Sequence, residues 1–334
     1  MRKFNLPQVR LIKKLHKNFI GNIIKSEFAI IFVLLILWLV ISYLTPTFAS
    51  QRNIINVLRR TASTGIVAIG MTFVIGTGGI DLSVGGQVTL LGVIIALGLD
   101  SGYPLWVVVT FVFILGIALG LFNGLGVTIL KIPPIMVTLS LQLMTGGLAL
   151  YMTNGRTFSI RYPGYDWVGL GSVGKIPVPI LIFLIVIIVG SLLLKKFAIG
   201  RKVLAVGSNA KGAWYAGINV IRTTIFTYIL TGVTCVISTI ILSSKLLSAS
   251  ATTGEGMEMN AIAAIVIGGT SLSGGTASIV GTVAGALMIE TIANWMTLQN
   301  VNSYLREVVK GFIILLALLI DNIRRQRLGK NDFE

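Results

Sequence analysis

Ten stretches of this chain are apolar enough to be read as membrane crossings, and short basic segments separate them. Crossing the ~30 Å hydrocarbon core of a bilayer takes about 20 apolar residues. The runs are 28–44, closed by Thr45-Pro46, then 62–78, 82–99, 105–127, 135–152, 178–194 and 223–242. A short run at 260–267 precedes the last two, 279–296 and 308–320. Composition agrees, since 54% of the 334 residues are apolar, 11% are charged and the mean hydropathy is +0.91. Soluble domains carry roughly 25% charged residues, and no pair of domain cores could hide this much apolar surface. A water-soluble enzyme is excluded. The expected fold is all-α, a polytopic integral membrane protein of about ten transmembrane helices.

The charge is lopsided, with 27 Lys and Arg against 11 Asp and Glu, a net +16. The basic residues gather at 2–25, 195–222 and 324–330, between or beyond the apolar runs. Bilayer orientation and anionic lipid head groups account for that pattern, so no nucleic-acid partner is expected. With the amino terminus inside, eighteen Lys and Arg fall in inner segments and nine in outer ones, which places both termini in the cytoplasm. The domain reading is then a basic cytoplasmic segment 1–27, a transmembrane domain 28–321 with a cytoplasmic loop 195–222, and a cytoplasmic tail 322–334. The 26 residues ahead of the first run, without a small-residue cleavage site, do not read as a removed signal peptide. Arg59 and Arg60 run against the charge bias and suggest an interfacial helix. An even number of crossings requires 260–267 to be a broken or partial span.

Cys235 and His16 are the single cysteine and histidine, so no disulfide and no cysteine metal cluster is expected. No catalytic triad, paired carboxylates or metal-ligand spacing is visible. Gly169, Gly171 and Gly174 fit a dinucleotide pattern, and residues 169–175 fit most of a phosphate-binding loop. Ile176 stands where a magnesium-holding hydroxyl belongs, however, and no strand precedes the stretch. Energy must come from a gradient or from another polypeptide.

Glycines serve two purposes. Gly116, Gly120 and Gly124, and likewise Gly281 and Gly285, have the spacing that lets membrane helices approach closely. The runs 76–86 and 268–275 instead interrupt apolar sequence and predict discontinuous helices, which survive at membrane depth only where protein or a water-filled cavity satisfies the freed backbone groups. In transporters such breaks flank substrate paths and recur in both halves of an internal repeat. Two inverted repeats of four helices would fit the second and seventh crossings, which run in opposite directions.

Several polar residues are path candidates. Asp81 sits in the first break, where a carboxylate either faces a cavity or caps a helix beginning at Leu82. Ser83 lies beside it, and Ser271 lies in the second break. Gln87, Asn123 and Gln142 offer donors and acceptors that suit hydroxyls of an uncharged solute or bonds between helices. Glu290 could pair with Arg306 or face a pore. The loop 200–220 is basic and lacks any acidic residue, and Asn209 can cap a short helix over 210–216. It either sets topology or docks a cytosolic partner.

Three blocks of sequence carry a resemblance. Gly200-Arg201, Ala205-Val206-Gly207, Asn209 and Ala216-Gly217-Ile218-Asn219 resemble the cytoplasmic loop of sugar-type ATP-binding-cassette importer permeases, the ribose and related monosaccharide group. Gly70-Met71-Thr72 through Gly79-Ile80-Asp81-Leu82-Ser83-Val84-Gly85 is similar to that family's most recognisable block. The third match covers 254–275, especially Ala261-Ile262-Ala263-Ala264 and Gly268-Gly269-Thr270-Ser271-Leu272-Ser273-Gly274-Gly275. With Val308, Lys310-Gly311 and Asp321-Asn322, the similarity spans roughly 40–325. The chain departs from the pattern at Ala210-Lys211-Gly212, where an acidic residue often follows Asn, at Asn260 in place of Asp, and at Thr276 in place of Lys.

The resemblance implies a fold like that of type II importers, in a bacterial plasma (inner) membrane. It implies two permease subunits, either two copies of this chain or this chain with a paralogue. Two ATPase subunits would dock inside and an extracytoplasmic sugar-binding protein outside. Gly200, Arg201, Ala205, Gly207, Asn209, Gly217 and Ile218 would form the ATPase-coupling element. This chain would bind no cofactor, with ATP and Mg held by the ATPase. The competing expectation, from the apolar runs and breaks alone, is a gradient-driven transporter or channel for a small neutral solute.

Overall fold

The computed structural model describes residues 27–331, with side chains for residues 29–319. The expected basic segment 1–27 therefore lies outside the described residues except for its last residue. The chain enters helix α1 (Glu27–Leu44) and a single 3-10 turn at Pro46–Ala49. Then follow α2 (Gln51–Gly76), α3 (Val84–Asp100), α4 (Leu105–Thr128) and α5 (Pro134–Thr153). A loop holding β1 (Phe158–Ser159), α6 (Asp166–Leu170), β2 (Ser172–Val173) and β3 (Ile176–Pro177) leads to α7 (Val178–Lys195). Two short helices, α8 (Ala198–Ser208) and α9 (Ala210–Tyr215), precede α10 (Val220–Leu246), and β4 (Ser248–Ala249) follows it. The chain closes with α11 (Met257–Ile267), α12 (Ile279–Leu298) and α13 (Ser303–Asn331). β1 pairs with β4 and β2 with β3, both antiparallel.

Each expected run falls on a helix, and the fold is that of an all-α polytopic membrane protein. Among the described residues, α4, α5, α7, α10 and α12 are long and apolar enough to cross a membrane, and α11 is short, as the partial span required. The sequence-based edges need correction at three places. α2 starts at Gln51 rather than at 62, so Arg59 and Arg60 lie within it and form no separate interfacial helix. The polar first turns of α2 hid its start from a hydropathy reading. α3 begins at Val84, two residues beyond the expected Leu82. α13 runs past the expected tail boundary as one helix to Asn331.

At the centre are α10 and α2. α10 packs against α4, α2 and α3, while α2 also carries α7 and α12. α5 covers α3, α11 lies on α12, and α1 lies against α12. From Thr61 to Gly76 every residue of α2 is buried, so this stretch has no outward face. α4, α5 and α7 bury only a stripe, and residues such as Phe111, Leu121, Leu143 and Ile188 stand exposed. In water such faces would aggregate; in a bilayer they are the wall against lipid.

The spacing of glycines on α4 works as its sequence implies. Gly116 sits against the Gly232 carbonyl of α10, Gly120 against Tyr228 and Ile229, and Gly124 against Ile225. A Cβ at Gly120 would stand 2.8 Å from the Ile229 Cα, closer than backbone allows. Gly281 and Gly285 of α12 likewise lie against Gly268 and Ala264. Buried hydroxyls on these helices bond mainly within their own helix, as Thr61 does to Val57 O at 2.9 Å and Thr72 to Ala68 O at 2.7 Å. Some also cross between helices, as Thr72 does to Thr282 at 2.9 Å.

These contacts predict a contrast between two glycines. Gly120→Val should destabilise the protein by about 1–3 kcal/mol or more, because the seam has no room. Gly147→Val on α5, where nothing lies within 4 Å, should not. Thermal unfolding of the detergent-solubilised variants distinguishes them.

Candidate functional site

The first break stops α2 at Gly76 and restarts the chain as α3 only at Val84. Gly78 takes a φ of +81°, which L side chains resist, and reverses the chain. The restart lies beside the middle of α10. The Tyr228 hydroxyl donates to Ile80 O at 3.4 Å, and the Thr239 hydroxyl reaches Val88 O at 3.4 Å. A helix that begins at this depth exposes its first N–H groups where no bulk water reaches them.

The side chains predicted for the path serve that restart. The Ser83 hydroxyl donates to Asp81 Oδ1 at 2.5 Å and accepts from Gln87 Nε2 at 2.7 Å and Asn123 Nδ2 at 2.8 Å. The same Asp81 oxygen accepts the Ser83 N–H at 2.9 Å and lies 3.4 Å from Asn123 Nδ2. Asp81, Ser83, Gln87 and Asn123 are all 0% exposed. Asp81 thus caps the turn just before the helix, not a helix starting at Leu82. One oxygen on each of Asp81, Gln87 and Asn123 (Oδ2, Oε1 and Oδ1) has no hydrogen-bond partner.

Gln142 of α5 is half-buried, and its Oε1 accepts the Gly86 N–H at 2.6 Å. Beside it lies a residue that the sequence reading missed, Glu258 in the first turn of α11. A side chain on Gly85 would collide with the Glu258 carboxylate, whose Oε2 is buried without a partner. Gly254 N–H donates to Thr89 Oγ1 at 3.0 Å, so the stretch ahead of α11 returns to the depth at which α3 starts. The signal in the sequence was an acidic residue directly ahead of a short apolar run, and the loop had masked it. Ser271 stands apart from this group, its Oγ accepting the Ser273 N–H at 3.3 Å within the second break.

The loop after α7 folds into α8 and α9. Gly200 is buried against the end of α7, and Arg201 is exposed with its guanidinium 3.4 Å from Lys196 O. Ala205 lies on α8, and Gly207, in its last turn, meets both helix breaks. Asn209 Oδ1 accepts the Gly212 N–H at 2.9 Å, the expected cap, and the helix it starts ends at Tyr215. Gly217 closes that helix at φ +79°, and the Ile218 N–H returns to Ala213 O at 3.0 Å. Lys211, Trp214 and Tyr215 stand exposed on α9.

Two other readings resolve. Glu290 pairs with Arg60 at 3.3 Å and accepts from the Thr64 hydroxyl at 3.2 Å, whereas Arg306 bonds Thr297 and Ser303. The nucleotide-like glycines make helix and hairpin contacts: Gly169 lies on Lys245 of α10, and Gly174 turns the β2–β3 hairpin at φ +62°.

The hub gives a stability prediction. Ser83→Ala leaves the buried Gln87 amide without its acceptor, at about 1–3 kcal/mol, and leaves the Asn123 amide only the longer contact to Asp81 Oδ1. Its melting temperature should fall clearly below that of Ser140→Ala, whose exposed hydroxyl bonds only to Met136 O of its own helix.

Residues 53–318 match the family model described as branched-chain amino acid transport system / permease component. The ribose import permease of Bacillus subtilis is 41% identical over 86% of this chain and 90% of its own length. That of Escherichia coli K12 is 37% identical over 86% and 91%, and the xylose transport permease of the same strain is 32% identical over 98% and 100%. No solved structure matches the chain. With broken helices inside an apolar shell and a family match across nearly all of the described helices, the chain belongs to this family of transport-system permease components.

Proposed function

We propose that this chain is the membrane-spanning permease subunit of an ATP-binding-cassette importer for a monosaccharide, ribose or a close relative of it. Ribose and xylose permeases are among the relatives that this chain matches over most of their length, which supports that substrate class. The chain is a transport subunit and not itself the enzyme; ATP and Mg belong to separate ATPase subunits, and this chain needs no cofactor. An extracytoplasmic binding protein delivers sugar, and a second permease, identical or paralogous, completes the path. In this reading both termini and loop 195–222 face the cytoplasm of a bacterial cell, and the protein resides in its plasma (inner) membrane.

The observation that carries the reading is the form of the loop. A helix of six residues, capped at one end by Asn209 and closed at the other by a left-handed Gly217, holds Trp214 and Tyr215 out from the protein. Such a rigid, basic, aromatic knob suits a socket on another subunit, since aromatic side chains supply contact area at low entropic cost. ATP binding draws the ATPase subunits together, the loop follows, and the broken helices alternate between outward and inward openings. The half-buried Gln142 and Glu258 are placed to offer hydroxyl partners to a passing sugar.

The purified chain should neither bind nor hydrolyse ATP. Uptake into proteoliposomes should require the ATPase and the binding protein; sugar accumulation by this chain alone would overturn the assignment. Gly217→Trp forces a side chain onto a positive φ. It should cut uptake at least about tenfold, with loss of ATPase co-purification. Unchanged uptake together with unchanged co-purification would remove the loop from docking.

A further inference from the structure

We propose that the contact among Gly76, Gly207 and Gly275 is a clasp through which loop α8–α9 moves both helix breaks together, making Gly207 a positioning residue for transport. The inference rests on the assignment of that loop to ATPase docking. Three segments distant in sequence meet here backbone to backbone, with the Val203 side chain beside Gly76 and the Ser208 hydroxyl beside Gly275. Gly275 N–H donates to Gly76 O at 3.1 Å. A Cβ on Gly207 would overlap that same carbonyl oxygen and stand 2.5 Å from Gly275 N. A Cβ on Gly274 would stand 2.7 Å from Gly78 N and 2.9 Å from the Gly207 Cα. Gly274 and Gly275 hold φ of +83° and +79°, so the approach is built into the turn.

Side chains absorb a displacement by changing rotamer, whereas interlocked backbone has no such slack and passes the strain on. Gly207 lies two residues before Asn209, whose side chain starts α9, so a shift of α9 reaches the clasp through very little intervening chain. From Gly76 the chain runs through Gly78 into Asp81 and Ser83. From Gly275 it runs forward to the Ser278 cap of α12, whose Thr282 hydroxyl lies 2.9 Å from that of Thr72. Backward it reaches Gly268, packed on Gly281, and then α11 with Glu258. One movement of the loop therefore displaces the hub side chains and Glu258 in concert.

The test uses the full transporter in proteoliposomes with its ATPase and binding protein. Gly207→Val should lower sugar uptake at least about tenfold while the ATPase subunit still co-purifies and hydrolyses ATP, and Gly207→Ala should fall between. Uptake equal to that of the unsubstituted chain would overturn the clasp. So would loss of co-purification from a correctly folded variant, because Gly207 would then act in docking alone. Failure of the unsubstituted chain to take up ATPase would instead refute the function proposed above. Should the valine variant fail to fold, hydrogen exchange on the unsubstituted complex decides. The Gly275 amide should stay equally protected in the nucleotide-free and vanadate-trapped states, and a rise in exchange in either state would show that the segments part and would overturn the proposal.

Discussion

The structure depends on satisfying backbone polar groups where a helix restarts in the buried interior of the protein. A continuous helix pairs its own N–H and C=O groups, so a crossing costs little beyond its termini. α3 gives up that economy by beginning beside the middle of α10, and its opening turn must find partners locally. It finds them in Asp81 for Ser83 N–H, Gln142 for Gly86 N–H, and Tyr228 and Thr138 hydroxyls at Ile80 O, at distances of 2.6 to 3.5 Å. An unpartnered polar group in such surroundings costs several kcal/mol. The polar side chains of the first break are thus required by the break itself, whatever else they do.

The second consequence concerns glycine. Where backbone meets backbone, the segments need positions without side chains, and the chain uses them in two ways. Along α4 and α10 the glycines bring two helices into close contact. At Gly76, Gly207 and Gly275 they join the ends of α2 and α8 to the second break, with a hydrogen bond from the Gly275 N–H to Gly76 O across the joint. The first arrangement packs one helix face on another; the second links ends of elements far apart in sequence. Equal residue type therefore marks two mechanical roles, and only the three-dimensional neighbours separate them.

Much of this was legible in the sequence for identifiable reasons. Apolar length located the helices, since hydrocarbon thickness leaves few alternatives, and the spacing of Gly116, Gly120 and Gly124 announced a close helix contact, whose partner is α10. Asn209 announced its short helix, because an Asn ahead of a helix-forming stretch has a strong local role as acceptor. What could not be read were the partners across the fold. Glu290 selected Arg60, 230 positions away, over the nearer Arg306. The start of α2 was concealed because Asn53 and Arg60, polar at the head of an apolar helix, are matched by Asn294 and Glu290 of α12, at 2.9 Å and 3.3 Å. Glu258 escaped because its importance comes from Gly85 opposite it, a contact between segments about half the chain apart.

The division between buried and half-buried polar groups bears on how a sugar would pass. Asp81, Ser83, Gln87 and Asn123 bond chiefly to one another and are sealed from solvent, so in this conformation they are scaffold. Gln142 and Glu258 retain partial access on the other side of the same turn of α3, and Gln142 also holds Gly86 N–H. A solute bonding to Gln142 would thus act on the residue that secures the start of α3. A path needs contacts strong enough to replace some hydration yet weak enough to release the cargo. Two half-buried polar groups flanking a helix start, backed by a buried polar network, would meet that requirement in the proposed reading. In that reading, capture and selectivity would then reside in a partner outside the membrane, and this chain would supply a path whose polar lining moves with its breaks.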